Sequence, residues 1–290
     1  MQVEFRSPAL GNRAPGPIGG VRLLAATEQP PNRLRGLPRL LVPTAAGRLS
    51  VRDVFPPRLA LARGRNALAV VLLALVSFGA LLTFVKRNHS RRIDLTVTHR
   101  LQRVSDPRFS ALMRAVSWPG FPPQSRLLPP LLATCWLALG FPLEALFQLL
   151  AWGSGAISST IKRIMRRPRP AAPDVRVLPA RIGGSSFPSG HVLIYTGVYG
   201  FLAFLVETLV RPARLRRALV SALVSLVALV GPSRIYLGHH WFTDVLASYL
   251  VGGSYLLALM ALYRRSKTAW LNRARQSERR RGSAPTDKLG

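Results

Sequence analysis

Residues 67–85, ALAVVLLALVSFGALLTFV, contain no charge and are long enough to cross a bilayer as a helix. Arg63 and Arg65 stand before the run, and Lys86 and Arg87 follow it. Further apolar stretches lie at about 127–139, 143–161, 191–210, 218–230 and 242–263. A backbone inside lipid must satisfy its own polar groups, which restricts spanning segments of this kind to helices. The expected fold class is therefore all-α: a polytopic membrane protein with about six transmembrane helices in a bundle.

The flanking segments differ in character. Residues 1–65 are rich in Pro, Gly and Arg and lack helical or strand periodicity. Such a composition buries too little apolar surface to offset the entropy of ordering. The expectation is a disordered, basic, cytoplasmic N-terminal tail over 1–65, a membrane domain over 66–263 and a basic C-terminal tail over 264–290. No signal-peptide layout precedes the first long apolar run. Within residues 88–125, Phe109, Leu112, Met113 and Val116 recur at i, i+3, i+4 and i+7, predicting an amphipathic surface helix.

The formal charge of +30 raises nucleic acid as a partner. The arginines, however, are spread over tails and short connections between apolar runs, with no aromatic-interleaved basic face for stacking bases. That distribution fits anionic lipid headgroups and no nucleic acid. The single cysteine, Cys135, lies inside an apolar stretch, so no intrachain disulfide and no cysteine-based metal site is expected.

Three segments at the ends of apolar runs carry the chemistry. In the first, Lys162 and Arg169 follow the third run, and Pro168 and Pro170 break the helix. An arginine fork and a lysine point charge suit phosphate oxygens, although membrane-anchoring cations explain this segment alone equally well. In the second, Ser189 is a natural N-cap, Gly190 lets the backbone approach a ligand, and His191 stands in the first turn. A helix start offers free N–H groups to an anion, and the histidine is placed to donate a proton. Taken alone, a capped membrane helix with an interfacial histidine would suffice.

The third segment holds Ser233, Arg234, His240 and Asp244. His240 and Asp244 sit at i and i+4, so the carboxylate can hold one imidazole nitrogen and leave the other free to attack. Arg234 can join a phosphate clamp, and His239 competes with His240. Alternation of the spans puts all three segments at one membrane face. The basic connection 211–217 and the last tail place that face outside the cytoplasm, while the equally basic connection 86–126 opposes this orientation.

These segments resemble the signature of the type 2 phosphatidic acid phosphatase superfamily, which includes lipid phosphate phosphatases and is related to vanadium haloperoxidases. The pattern K-x6-R-P, P-S-G-H and S-R-x5-H-x3-D is met at Lys162, Arg169 and Pro170, at Pro188 to His191, and at Ser233, Arg234, His240 and Asp244. The resemblance spans roughly 66–263 and implies a bundle with its active site at one membrane face. It also implies that His240 attacks phosphorus, Asp244 orients it, and His191 protonates the leaving oxygen. Lys162, Arg169, Ser189, Gly190 and Arg234 would hold the phosphate, with no cofactor and no metal.

The implied activity is hydrolysis of a lipid phosphate or isoprenyl diphosphate in a bacterial plasma membrane. Undecaprenyl diphosphate, phosphatidic acid, phosphatidylglycerol phosphate and polyprenyl-linked sugar phosphates all stay open, as does the oligomeric state. Haloperoxidase chemistry conflicts with the membrane character of the chain. A non-catalytic lipid-binding protein conflicts with the intact His191, His240 and Asp244. A transporter would place its charges nearer the bilayer midplane.

Overall fold

The structure, a computed structural model, describes residues 57–180 and 182–282. It contains helices α1 (Pro57–Lys86), α2 (Arg91–Gln102), α3 (Pro107–Ser117), α4 (Gln124–Ala138), α5 (Pro142–Trp152) and α6 (Ser154–Met165). They are followed by α7 (Gly190–Leu209), α8 (Ala213–Tyr236) and α9 (Phe242–Gly282). No β-strand occurs among the described residues.

Among the described residues, four helical segments are long and apolar enough to cross a membrane: Asn66–Lys86, Gly190–Leu209, Ala213–Tyr236 and Phe242–Arg273. The chain is an integral membrane protein. The remaining expected spans are shorter elements. The run at 127–139 falls in α4, which has 15 residues. The run at 143–161 is divided into α5 and α6 at Gly153. There the Tyr255 hydroxyl donates to the Leu150 carbonyl, and a Cβ on Gly153 would lie 2.9 Å from both groups. A hydroxyl inserted at a glycine is a recognised cause of a helix break.

Two boundaries move outward from the sequence expectation. Helix α1 begins at Pro57, with proline at a position that needs no intrahelical N–H partner, so 57–65 are helical. Helix α9 continues to Gly282 through residues with good helix propensity, so 264–282 are helical as well. The rest of the expected N-terminal tail, residues 1–56, and residues 283–290 lie outside the described residues. The predicted amphipathic helix is α3. Met113 and Val116 are buried, but Leu112 is exposed.

Helix α7 is the central element and α1 the peripheral one. Of the apolar window in α7, 72% is buried, against 6% in α1. Leu68, Leu73 and Val76 of α1 are all exposed, as a lipid-facing helix requires. The opposite side of α1 packs on α9, with Phe78, Leu81 and Val85 gathered around Phe187 and Ala247. Beneath the motif segments, Val192, Tyr195 and Val198 of α7 pack with Val230, Ile235 and Val245. The ends of α7, α8 and α9 that carry motif residues are thus held by one apolar cluster, while Ile161 and Met165 of α6 pack with the Phe187 cluster.

Candidate active site

His240 lies in the connection between α8 and α9. Gly238 makes the turn there: its φ is +71°, and a Cβ would collide with the Arg176 carbonyl oxygen. The turn folds both histidines back, so that the backbone N–H groups of His239 and His240 donate to the Arg234 carbonyl at 3.0 and 3.3 Å. The His240 side chain is 2% exposed.

Its two nitrogens have different surroundings. Nδ1 lies 2.7 Å from the Ser186 carbonyl oxygen, which can only accept. The proton therefore sits on Nδ1, and Nε2 carries the lone pair, which faces the Arg169 guanidinium. Nε2 is 3.2 Å from the Arg169 guanidinium. Burial lowers the His240 pKa well below the ordinary 6.5, and the charges of Arg234, Arg169 and Lys162 lower it further. At neutral pH the ring is uncharged, which is the state a nucleophile requires.

Asp244 differs in detail from the sequence expectation. It lies 3.6 Å from His240 Nδ1, beyond hydrogen-bond reach, because the Ser186 carbonyl occupies that nitrogen. Instead, Asp244 accepts from the Ser186 hydroxyl at 2.8 Å and from the Trp241 backbone N–H at 2.9 Å, closing the first turn of α9. Ser186 thus joins the carboxylate and the imidazole, donating to one and accepting from the other.

Arg167, which the sequence reading did not assign, is the main charge partner of Asp244. Its guanidinium donates to Asp244 at 2.5 Å and to Asp94 at 2.6 Å, and also to Ser90 and Thr243. Asp94 in turn accepts from the Thr243 backbone and hydroxyl at 2.9 Å. Two buried carboxylates and one arginine tie α2 to the start of α9 directly behind His240. One clue lay in the sequence: Asp94 is one of 11 acidic residues in the chain and sits in a strongly basic stretch.

The second segment reaches the same place. Ser189 occupies the N-cap position of α7, but its hydroxyl makes no capping bond. Its backbone N–H donates to Ser248 at 2.7 Å, while Oγ is buried with no hydrogen-bond partner. A Cβ on Gly190 would stand 3.3 Å from Ser158 Oγ and 3.8 Å from Lys162 Nζ, which brings Lys162 beside the start of α7. The His191 ring rests against Gly120, where any side chain would strike it, and its Nε2 is also buried and unpartnered.

Arg234 is 0% exposed. Nη1 donates to Ser117 at 2.6 Å, yet Nε and Nη2 have no partner among the described residues. Phe121 covers this group. Its ring centroid is 4.6 Å from that of His191 and 6.1 Å from that of His239, with the Arg234 guanidinium at 4.8 Å. Phe121 and Ser117 carry no sequence signal for this position. Arg169 is fixed by the carbonyls of Gly183, Gly184 and His239 as well as by its contact with His240.

His239 does not compete for the nucleophile's place. Its Nε2 lies 2.9 Å from the Leu178 carbonyl oxygen, and burial with the nearby Arg234 lowers its pKa to about 4.

All the sequence-predicted site residues therefore converge at one end of the bundle. Residues 142–268, which contain every one of them, match the family model described as "PAP2 superfamily". A curated relative, phosphatidylglycerophosphatase B of Bacillus subtilis (strain 168), is 34% identical over 112 residues. That alignment covers 38% of this chain and 53% of the relative, so the chain spans about half the length of the curated relative it matches. The fold is similar to that of a solved transmembrane PAP2-type phosphatidylglycerolphosphate phosphatase from Bacillus subtilis. The TM-score is 0.58 at 23% identity, covering 67% of this chain and 96% of that one. The match to Aquifex aeolicus LpxE has a TM-score of 0.45 at 20% identity, covering 59% and 94%.

Proposed function

We propose that this protein is an integral-membrane phosphatase that hydrolyses a lipid phosphate or isoprenyl diphosphate through a phosphohistidine on His240. The observation that carries this reading is the set of buried polar atoms left unpartnered on Arg234, Ser189 and His191, next to a neutral His240. Burying an arginine with two unpaired N–H positions costs several kcal/mol (roughly) unless an anion meets them. A tetrahedral oxyanion accepts hydrogen bonds in several directions and would satisfy all of these groups together.

In this mechanism Nε2 of His240 attacks phosphorus, and the bond to the lipid oxygen breaks. The leaving oxygen takes its proton from His191. Water then attacks the phosphohistidine as His191 accepts a proton from it, and the P–N bond breaks to release phosphate. Lys162, Arg169, Arg234, the Ser189 hydroxyl and the N–H of Gly190 stabilise the charge on the equatorial oxygens. Asp244 acts on His240 through Ser186, and Arg167 and Asp94 fix Asp244. The role of the carboxylate is thus positional.

The topology that suits this chemistry has six spans, with the α5–α6 pair and α4 completing the bundle around α7. Both tails lie in the cytoplasm and the site opens extracytoplasmically. The lipid-facing surface of α1 favours an amphiphilic substrate over a soluble one. Phosphate release from phosphatidic acid in detergent, with chelator present, tests the reading. Wild type turns over, and His240→Ala inserts normally but releases nothing. Turnover of similar size in both would refute the assignment.

A further inference from the structure

A cavity of about 580 Å³ opens beside the site, between the end of α1 and the 165–174 loop. Its size falls within the range of small-molecule sites, about 300–1,000 Å³. One wall is apolar, made by Val85 and Met165, which belong to the same cluster as the α1 residues Phe78, Leu81 and Leu82. The rest of the lining includes five cations and two carboxylates, Asp94 and Asp174.

These cations fall into two groups. Three have partners: Arg91 meets Asp174 at 3.3 Å, Arg167 meets Asp94 and Asp244, and Arg169 binds backbone carbonyls. The other two, Lys86 and Arg166, are exposed and form no ion pair among the described residues. Both line the cavity. Arg166 stands at the C-cap of α6 with φ +45°, a conformation unusual for a residue with a side chain. Arg169 joins the cavity to the reaction centre, since it lines the former and lies 3.2 Å from His240 Nε2.

We propose that this cavity binds a second anionic phosphate group of the substrate, the one that is not attacked, with Lys86 and Arg166 as its specificity-determining contacts. The ligand is a lipid headgroup that carries two phosphates, as a diphosphate or as a phosphate ester on an anionic phospholipid. The inference rests on the phosphatase reading above and adds to it a residue pair outside the catalytic set. A lipid with one terminal phosphate fills the reaction centre alone and leaves these two cations in solvent.

The test compares two lipids with identical acyl chains, phosphatidic acid and diacylglycerol pyrophosphate, on the full-length protein. The double variant Lys86→Gln with Arg166→Asn removes both charges, and asparagine tolerates positive φ. A charge-assisted contact typically contributes about 1.5–3 kcal/mol, so kcat/KM for the diphosphate lipid should fall about tenfold or more. The value for phosphatidic acid should change less than about twofold by the same reasoning, since it forms neither contact. Equal loss on both lipids, or no loss on either, overturns the subsite.

Equilibrium binding of the two lipids to His240→Ala protein reads the same preference without turnover. A wild type that binds the diphosphate lipid more tightly yet hydrolyses neither would overturn the phosphatase reading and leave the subsite standing. Inorganic phosphate alone should inhibit wild type and double variant equally. Weaker inhibition of the variant would assign the cavity to the free ion and overturn a substrate-borne group.

Discussion

Both ends of the bundle bury charge, but they do so differently. Near the start of α5, Glu144 is 1% exposed and accepts from Tyr263 at 2.8 Å and from Lys267 at 2.6 Å. At the other end of α9, Arg234 is equally buried but has a neutral hydroxyl as its side-chain partner and two N–H positions unmatched. The first cluster has its counter-charge within the chain and pins α5 to the far end of α9. The second has no counter-charge from the protein at Arg234, and in the proposed mechanism the substrate phosphate supplies it. The Glu144–Lys267 pair is thus matched within the protein, while Arg234 is the cation that the proposed mechanism assigns to phosphate.

Substitution should separate the two ends. Arg234→Leu should reduce turnover by about 10²–10³ or more, the cost of removing one electrostatic donor. Its thermal stability should stay level or rise, because an unpaired buried charge disappears. A large drop in Tm would place Arg234 with the architectural charges instead. Arg167→Gln comes next. It strands Asp94 and Asp244 without their cation, so both stability and kcat should fall, and Arg167→Lys should restore part of the stability. Breaking a buried pair typically costs about 3–5 kcal/mol, which urea or thermal melts of Arg167→Gln would detect.

At the architectural end, Lys267→Met should lower Tm to a similar extent with KM unchanged for the folded fraction. Adding Glu144→Leu should recover most of that loss, since replacing both partners is often neutral. An unrecovered double variant would show that the pair does more than match charge.

The smallest effect concerns pH. The His239 pKa is about 4 in the folded chain against 6.5 when free, so the folded state binds fewer protons over that window. Its contribution to stability is complete above pH 6.5 and declines as pH falls toward about 4. His239→Gln should flatten the dependence of Tm on pH across that interval. An unchanged slope would shift the effect to another group.

The sequence exposed the chemistry more fully than the scaffold behind it. The motif residues could be read because their types and spacing are demanding, and His240, His191, Lys162, Arg169 and Arg234 do converge. The apolar runs located α1, α7, α8 and α9, but the break at Gly153 depends on a Tyr255 hydroxyl more than a hundred residues away. No local pattern reports such a contact. Likewise Asp244 sits at the right helical spacing from His240, yet a carbonyl from the 183–190 loop takes the nitrogen first. Asp94 and Phe121 enter through tertiary packing alone. A period of apolar residues fixes which side of a helix is buried, not which polar group meets it there.

Rapid quenching of the protein with a lipid phosphate labelled at its terminal phosphate tests the central claim most directly. Wild type should carry acid-labile label on His240 during turnover, and His240→Ala should carry none. Label retained by His240→Ala, or found on another residue of the wild type, would contradict a mechanism in which the three segments converge on this imidazole.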